Sequence, residues 1–208
     1  MISLFLDTCN SNIIIGLLKD NKLIDNSSFK NDNNLSEKLL PMIKDLLEKN
    51  NIKINSINKI YISIGPGSFT GIRIGVTVAK TIAWALNIDI IPISSLEVMA
   101  STHEKDNYIC PLIDARRGYV FAGLYNNELD SIIEDKYIKL DELLTILNLQ
   151  YQNIKYVSYD KIENTNLPNI NIEKLIKKHE LDKPINPHLI NPNYLKRTEA
   201  EEKNDQRN

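Results

Sequence analysis

Apolar and polar positions change period several times along the chain, and each change predicts an element. Residues 2–6, 13–18 and 23–29 are apolar-rich runs divided by turn formers, Asp7 to Asn12 and Asp20-Asn21, which predicts an opening meander of three strands. Leu39, Leu40, Ile43, Leu46 and Leu47 then recur at helical spacing, predicting a helix that Ser36 caps and that ends near Asn50-Asn51. Pro41 lies inside it and either kinks its first turns or marks its regular start. A β-branched and aromatic run at 59–64 predicts a strand that stops at Gly65-Pro66-Gly67. Beyond the turn, Gly71, Gly75, Ala79 and Ala83 fall at every fourth position of a helix reaching Leu86. Arg73, Thr77, Lys80 and Thr81 make a narrow polar strip on it, and most other positions are Ile, Val, Trp or Leu. Such a helix is expected to be buried on most sides, with a seam of small residues that another backbone approaches closely. A strand at 88–93 and a short helix from Ser94 or Ser95 to about Ser101 follow.

The polar stretch Thr102 to Asn107 reads as a lobe boundary, dividing an N-terminal lobe at 1–102 from a C-terminal lobe at 103–197. Strand-like runs recur at 108–113, 119–125 and 131–138, then a helix that Asp141 caps to about Asn148, and a strand at 154–158. The second half therefore opens β-β-β-α-β, as the first does, with Asp7 and Asp114 in equivalent places after the first strand of each. A helix is expected at 171–179, Pro184, Pro187 and Pro192 enforce extended segments, and 198–208 has the composition of a polar, solvated tail.

Composition narrows the classes. An apolar fraction of 42% over 208 residues is ample for a core. A net charge of −2, from 25 basic and 27 acidic residues, supplies no overall field for holding nucleic acid or an acidic membrane surface. Cys9 and Cys110 stand far apart without a CxxC partner, which disfavours zinc and suits two buried thiols in a reducing compartment. The chain opens on a strand-like run without a signal-peptide pattern, and no apolar run reads as long enough to span a bilayer, so a cytoplasmic protein is expected.

The turn Gly65, Pro66, Gly67, Ser68, Phe69, Thr70 invites a phosphate reading, because helix N-terminal amides attract anions. Its details disagree. Ile72-Arg73 follow Gly71 where a P-loop needs Lys-Ser/Thr, and the glycine spacing misses the dinucleotide fingerprint. Asp7 and Asp114 are either vestiges of a nucleotide site or loop carboxylates that cap backbone amides. Arg116 and Arg117 suit a solvated turn, or a pairing with acidic groups of a partner or with tRNA phosphate. His103, His179 and His188 fall in polar or proline-rich stretches, fit no catalytic motif, and read as surface histidines.

The order of elements, with an aspartate after the first strand of each half, resembles the two-lobed α/β fold of the actin-like ATPase superfamily. The run Gly65 to Gly75 resembles the hallmark of the TsaB (YeaZ) family, with supporting matches at Asp7-Thr8, Ser36 to Pro41, Ser94 to Glu97, Asp114 to Gly118 and Pro192 to Arg197. Leu35 departs from the pattern, which commonly has His there. The resemblance implies a degenerate nucleotide site, no cofactor and no catalysis by this chain. It implies a subunit that binds and activates the paralogous TsaD enzyme, with the TsaE ATPase as third component, in making threonylcarbamoyladenosine beside the tRNA anticodon. Alone the chain is expected to be a monomer or homodimer, to meet tRNA only indirectly, and to leave membranes alone. The expected partner surface is the two helices, through Leu39, Ile43 and Leu46 and through Gly71, Arg73, Gly75, Thr77, Ala79, Lys80 and Ala83. The competing reading is an enzyme, a glycoprotease or actin-like ATPase with its own metal or nucleotide site. A phosphate-sensing module resting on the Gly-rich turn is a weaker third.

Overall fold

The computed structural model describes residues 1–31, 34–102 and 108–196. The segment 103–107 expected to divide the lobes, His103, Arg197 and the tail at 198–208 lie outside the described residues. The first half runs β1 (Ile2–Asp7), β2 (Asn12–Lys19), β3 (Lys22–Lys30), α1 (Leu35–Lys49), β4 (Ile57–Ser63), α2 (Phe69–Leu86), β5 (Asp89–Ile93) and α3 (Ser95–Ala100). The second runs β6 (Tyr108–Asp114), β7 (Tyr119–Tyr125), β8 (Ser131–Lys139), α4 (Leu140–Gln150), β9 (Ile154–Val157) and α5 (Ile172–Lys178).

Two sheets result, ordered β3-β2-β1-β4-β5 and β8-β7-β6-β9. In each, the first strand of the half pairs antiparallel with the second and parallel with the strand that follows the helix. This is the duplication that the repeated order predicts. Asp20 and Asn21 both have positive φ, 50° and 62°, as the tight turn between β2 and β3 requires.

The cores follow from which face each strand presents. α1 and α2 cover one face of the first sheet, burying Leu39, Ile43, Ile72 and Val76 against Leu4, Leu6 and Ile60. Its other face meets α3, α5 and the second sheet through Phe5, Tyr61, Leu96, Leu175 and Phe121. α4 closes the far side over Cys110, Leu112 and Val120. Buried on both faces, β1 and β4 read as nearly continuous apolar runs.

The helix starts differ from expectation. α1 begins at Leu35, with Asn34 at its cap position and no side-chain cap, so Ser36 is inside the helix. Leu35 is itself buried in the core beneath α1. Pro41 is an interior residue of an uninterrupted helix and is exposed, as is Glu37, whose carbonyl loses its amide partner on the water side. Asp141 likewise lies in the first turn of α4, whose cap position is Lys139. Ser94 does cap α3, accepting from the Leu96 amide at 3.1 Å.

α2 is not buried on most sides. Gly71, Ile72, Gly75, Val76, Ala79, Ile82 and Ala83 face inward, while Arg73, Thr77, Thr81, Trp84 and Ala85 are exposed. By length and composition this helix is apolar enough to cross a membrane, contrary to expectation, but its inner face packs on β4, β5 and β1 as a core helix does.

His179 is a correction as well. It is almost enclosed, with Nε2 2.8 Å from Glu97 Oε1 of α3 and Nδ1 2.7 Å from Asp182 Oδ2. Burial alone pulls its pKa down, yet the two carboxylates together outweigh burial and raise it. A raised folded-state value means the ion pairs stabilise fully below the ordinary histidine value near 6.5 and weaken as pH climbs through the raised one. Melting temperatures measured across this range should therefore show wild type ahead of His179→Gln at about pH 6, with the gap closing as the solution turns alkaline. A gap that widens with pH would refute the assignment.

Candidate functional site

The two halves face each other across a cleft of about 770 Å³. One wall is the β1–β2 turn and the start of α2, with Cys9, Asn10, Ser11, Gly67, Ser68, Phe69 and Thr70; the other is the β6–β7 turn with Asp114, Ala115, Arg116 and Arg117. Asn31, Ile113, Phe121, Asp160 and Lys196 complete the lining.

The Gly-rich stretch is built to let three segments touch. A Cβ at Gly67, where φ is +148°, stands 2.2 Å from the Cys9 carbonyl oxygen, and one at Gly65, where φ is +109°, stands 2.7 Å from that of Asn193. The Ser68 amide donates to the Cys9 carbonyl at 2.7 Å, and Ser68 Oγ accepts from the Gly71 amide at 3.2 Å as the cap of α2. At least these two amides are therefore engaged within the chain, which weakens the anion reading of the turn itself. Thr8 Oγ1 donates to the Gly71 carbonyl at 2.8 Å and lies under Gly75.

Asp7 and Asp114 do the same local work. Asp7 Oδ1 accepts from the Cys9 amide at 3.0 Å, and Asp114 Oδ1 from the Arg116 amide at 2.8 Å, two residues on in both cases. Asp7 is fully buried, and desolvation raises its pKa against the hydrogen bonds from Cys9 and Asn10. It does not line the cleft. The actin-like fold implies a magnesium nucleotide held between such loops, and this donor set does not fit one. The β1 carboxylate is enclosed, turned to its own loop and pushed toward its neutral form. Burial raises both thiols too, Cys9 well above its ordinary value and Cys110 to about 12, so neither is a ready nucleophile. Among the described residues, no group of three or more His, Cys, Asp or Glu side chains is placed to hold a metal ion.

The expected partner residues divide in two. Leu39, Ile43, Leu46, Gly71, Gly75, Ala79 and Ala83 are buried in the chain's own core, so a partner cannot touch them in the folded protein. Arg73, Thr77 and Lys80 lie on the outer side of α2. There the C-terminal segment, whose position the sequence did not reveal, runs across the helix. Arg73 Nε donates to Tyr194 Oη at 2.8 Å, Lys80 Nζ to the Ile190 carbonyl at 2.9 Å, and Tyr194 stacks on Phe69 at 4.9 Å. Prolines bracketing a buried Ile190 were the available signal for that strap.

Two sheets of repeated topology, with α1 and α2 covering the outer face of one, α4 that of the other, and a cleft between the halves, define an actin-like α/β protein. Two Pseudomonas aeruginosa structures share that fold: YeaZ, with a TM-score of 0.76, and an uncharacterized protein with similarity to peptidase YEAZ, at 0.78. Both are 19% identical to this chain; the alignments cover 93% and 94% of it and 99% of each of those chains. The family model described as TsaD: tRNA N6-adenosine threonylcarbamoyltransferase matches residues 29–191. The tRNA threonylcarbamoyladenosine biosynthesis protein TsaB of Bacillus subtilis is 36% identical over 164 residues, 77% of this chain and 72% of that protein. An uncharacterized protein of Mycoplasma pneumoniae is 30% identical over 93% of this chain and 94% of its own length. The chain belongs to the TsaB (YeaZ) family.

Proposed function

We propose that this chain serves threonylcarbamoyladenosine formation in tRNA as a non-catalytic subunit that binds and activates a TsaD homologue in the cytoplasm, with a TsaE ATPase as the third component. The observation that carries the non-catalytic part is the burial of Asp7: the position where an actin-like enzyme presents a carboxylate to its nucleotide is closed by the chain's own loop. The names of the TsaB relatives support the pathway. The outer row of α2, with Thr77, Thr81, Trp84 and Ala85 exposed, supports a docking surface, and Leu40 of α1 adds an apolar side chain that is 52% exposed. Binding there favours the competent state of the enzyme by mass action, and the same row serves a homodimer when the enzyme is absent. Transfer to tRNA is assayed with the TsaD homologue of the same genome, with and without this chain, alongside light scattering of the mixture. A stable complex and strictly dependent transfer are the expected result; unchanged transfer without association overturns the reading.

A further inference from the structure

We propose, on the docking reading above, that the pocket at the C-terminal end of α2 takes the guanidinium group of one arginine side chain, presented by the enzyme that docks on the outer row of that helix.

The helix end carries negative charge without an answering cation. α2 is 18 residues long and has no basic residue in its last turn to meet the negative end of its dipole. Asn87 closes it in the left-handed conformation, with φ of 50°, and the Asn87 and Ile88 amides donate to the Trp84 and Ala83 carbonyls at 3.2 and 3.0 Å. The chain then turns directly into β5, whose first residue, Asp89, brings a carboxylate to the same place. Dipole and carboxylate thus have the same sign at a position where helices commonly place lysine or arginine.

A pocket of about 370 Å³ lies between this helix end and the segment 184–188. No lysine or arginine lines it, and Asp89, which does, is exposed and has no ion-pair partner among the described residues. The neighbouring cations are turned elsewhere. Lys59, opposite Asp89 in the β4–β5 register, holds its ammonium over the Tyr61 ring, 5.7 Å from the centroid. Lys80, one turn before Trp84, donates to the Ile190 carbonyl at 2.9 Å. Trp84 gives the pocket an indole that is 65% exposed, and the His188 ring braces it edge-on, with centroids 6.1 Å apart and an interplanar angle of 68°. Pro184 and Pro187 stiffen the facing segment. An indole beside an unpaired carboxylate suits guanidinium above ammonium, because the planar group stacks on the ring while its fork of donors reaches the carboxylate. Trp84 also belongs to the exposed row of Thr77, Thr81 and Ala85, so a protein seated on that row brings its own surface over the pocket.

Two measurements test this. In the first, the ¹⁵N-labelled full-length chain is titrated with N-acetylargininamide and followed through its one indole N–H resonance, that of Trp84. A saturable shift is expected, at least about threefold weaker in Asp89→Asn, with no shift from the uncharged isostere N-acetylcitrullinamide. In the second, affinity for the TsaD homologue is measured by calorimetry at several salt concentrations. Asp89→Asn should weaken it about tenfold, since the pair is desolvated in the complex, and Asp89→Lys further, with the advantage of wild type shrinking as salt rises. Both variants should melt near wild type because the side chain is exposed. Glu142→Gln, the same loss of charge on α4 in the other half, should bind as wild type. If wild type and the enzyme do not associate, the docking reading falls and the docked arginine with it. If they associate, any of four results overturns the arginine pocket and leaves the docking reading standing: undiminished affinity in both Asp89 variants, equal loss in Glu142→Gln, an indole resonance unmoved by the arginine probe, or an equal shift from the citrulline probe.

Discussion

Gly71→Ala is expected to lower the melting temperature by on the order of 10 °C. The new Cβ would stand 2.1 Å from the Thr8 carbonyl oxygen, a backbone atom at the end of the central strand β1 that has nowhere to retreat. Relief requires α2 to lift from the sheet or the β1–β2 turn to move, and either breaks the buried 2.8 Å hydrogen bond from Thr8 Oγ1 to the Gly71 carbonyl. Overpacking of this kind costs about 1–3 kcal/mol and a buried hydrogen bond about 1 kcal/mol more. At this chain length each kcal/mol moves the transition by about 2–4 °C. Gly75→Ala meets Thr8 Oγ1 at 2.0 Å, the movable end of a side chain, and should cost less. Calorimetry of the two variants distinguishes them; equal, near-wild-type melting in both would mean that the close approach of α2 to Thr8 is not real.

That seam shows how far the sequence can be read. Four small residues at every fourth position mark a side of α2 that something approaches closely, and the structure agrees. What approaches is Thr8, more than sixty positions away, and spacing within one helix carries no information about a contact at that distance. The duplicated strand order was legible because alternating strands, turn formers and helical periods each leave local marks, and Asp7 and Asp114 could be matched because both follow a first strand. Helix starts were less legible. Ser36 and Asp141 are good cap residues, yet packing of Leu35 and the pairing of Lys139, the last residue of β8, with Tyr119 of β7 set the first turns. His179 looked solvated because its neighbours in sequence are polar, whereas its partner Glu97 comes from a helix in the other half of the chain. The cleft wall was legible only in part: the Asp114 to Gly118 turn was visible, but not that its two arginines adopt positive φ.

Thr77→Glu is expected to weaken association with the TsaD homologue by at least about 100-fold while leaving the melting temperature within a few degrees of wild type. Thr77 is exposed on the row of α2 opposite the buried seam, so the new carboxylate is solvated in the free chain and costs little there. In a complex docked on that row the same charge is desolvated without a partner, a penalty of several kcal/mol, and each 1.4 kcal/mol is tenfold in affinity. The chain carries its own reporter. Trp84 is its single tryptophan, is 65% exposed, and lies on the same outer side, so docking should shift its emission to shorter wavelength. The difference spectrum against Trp84→Phe isolates that signal from any tryptophan in the enzyme. The variant should lose the shift and the complex together, and a Thr77→Ser control should keep both. If Thr77→Glu binds as tightly as wild type, or if the complex forms with Trp84 emission unmoved, the enzyme docks elsewhere and α2 serves only the core beneath it.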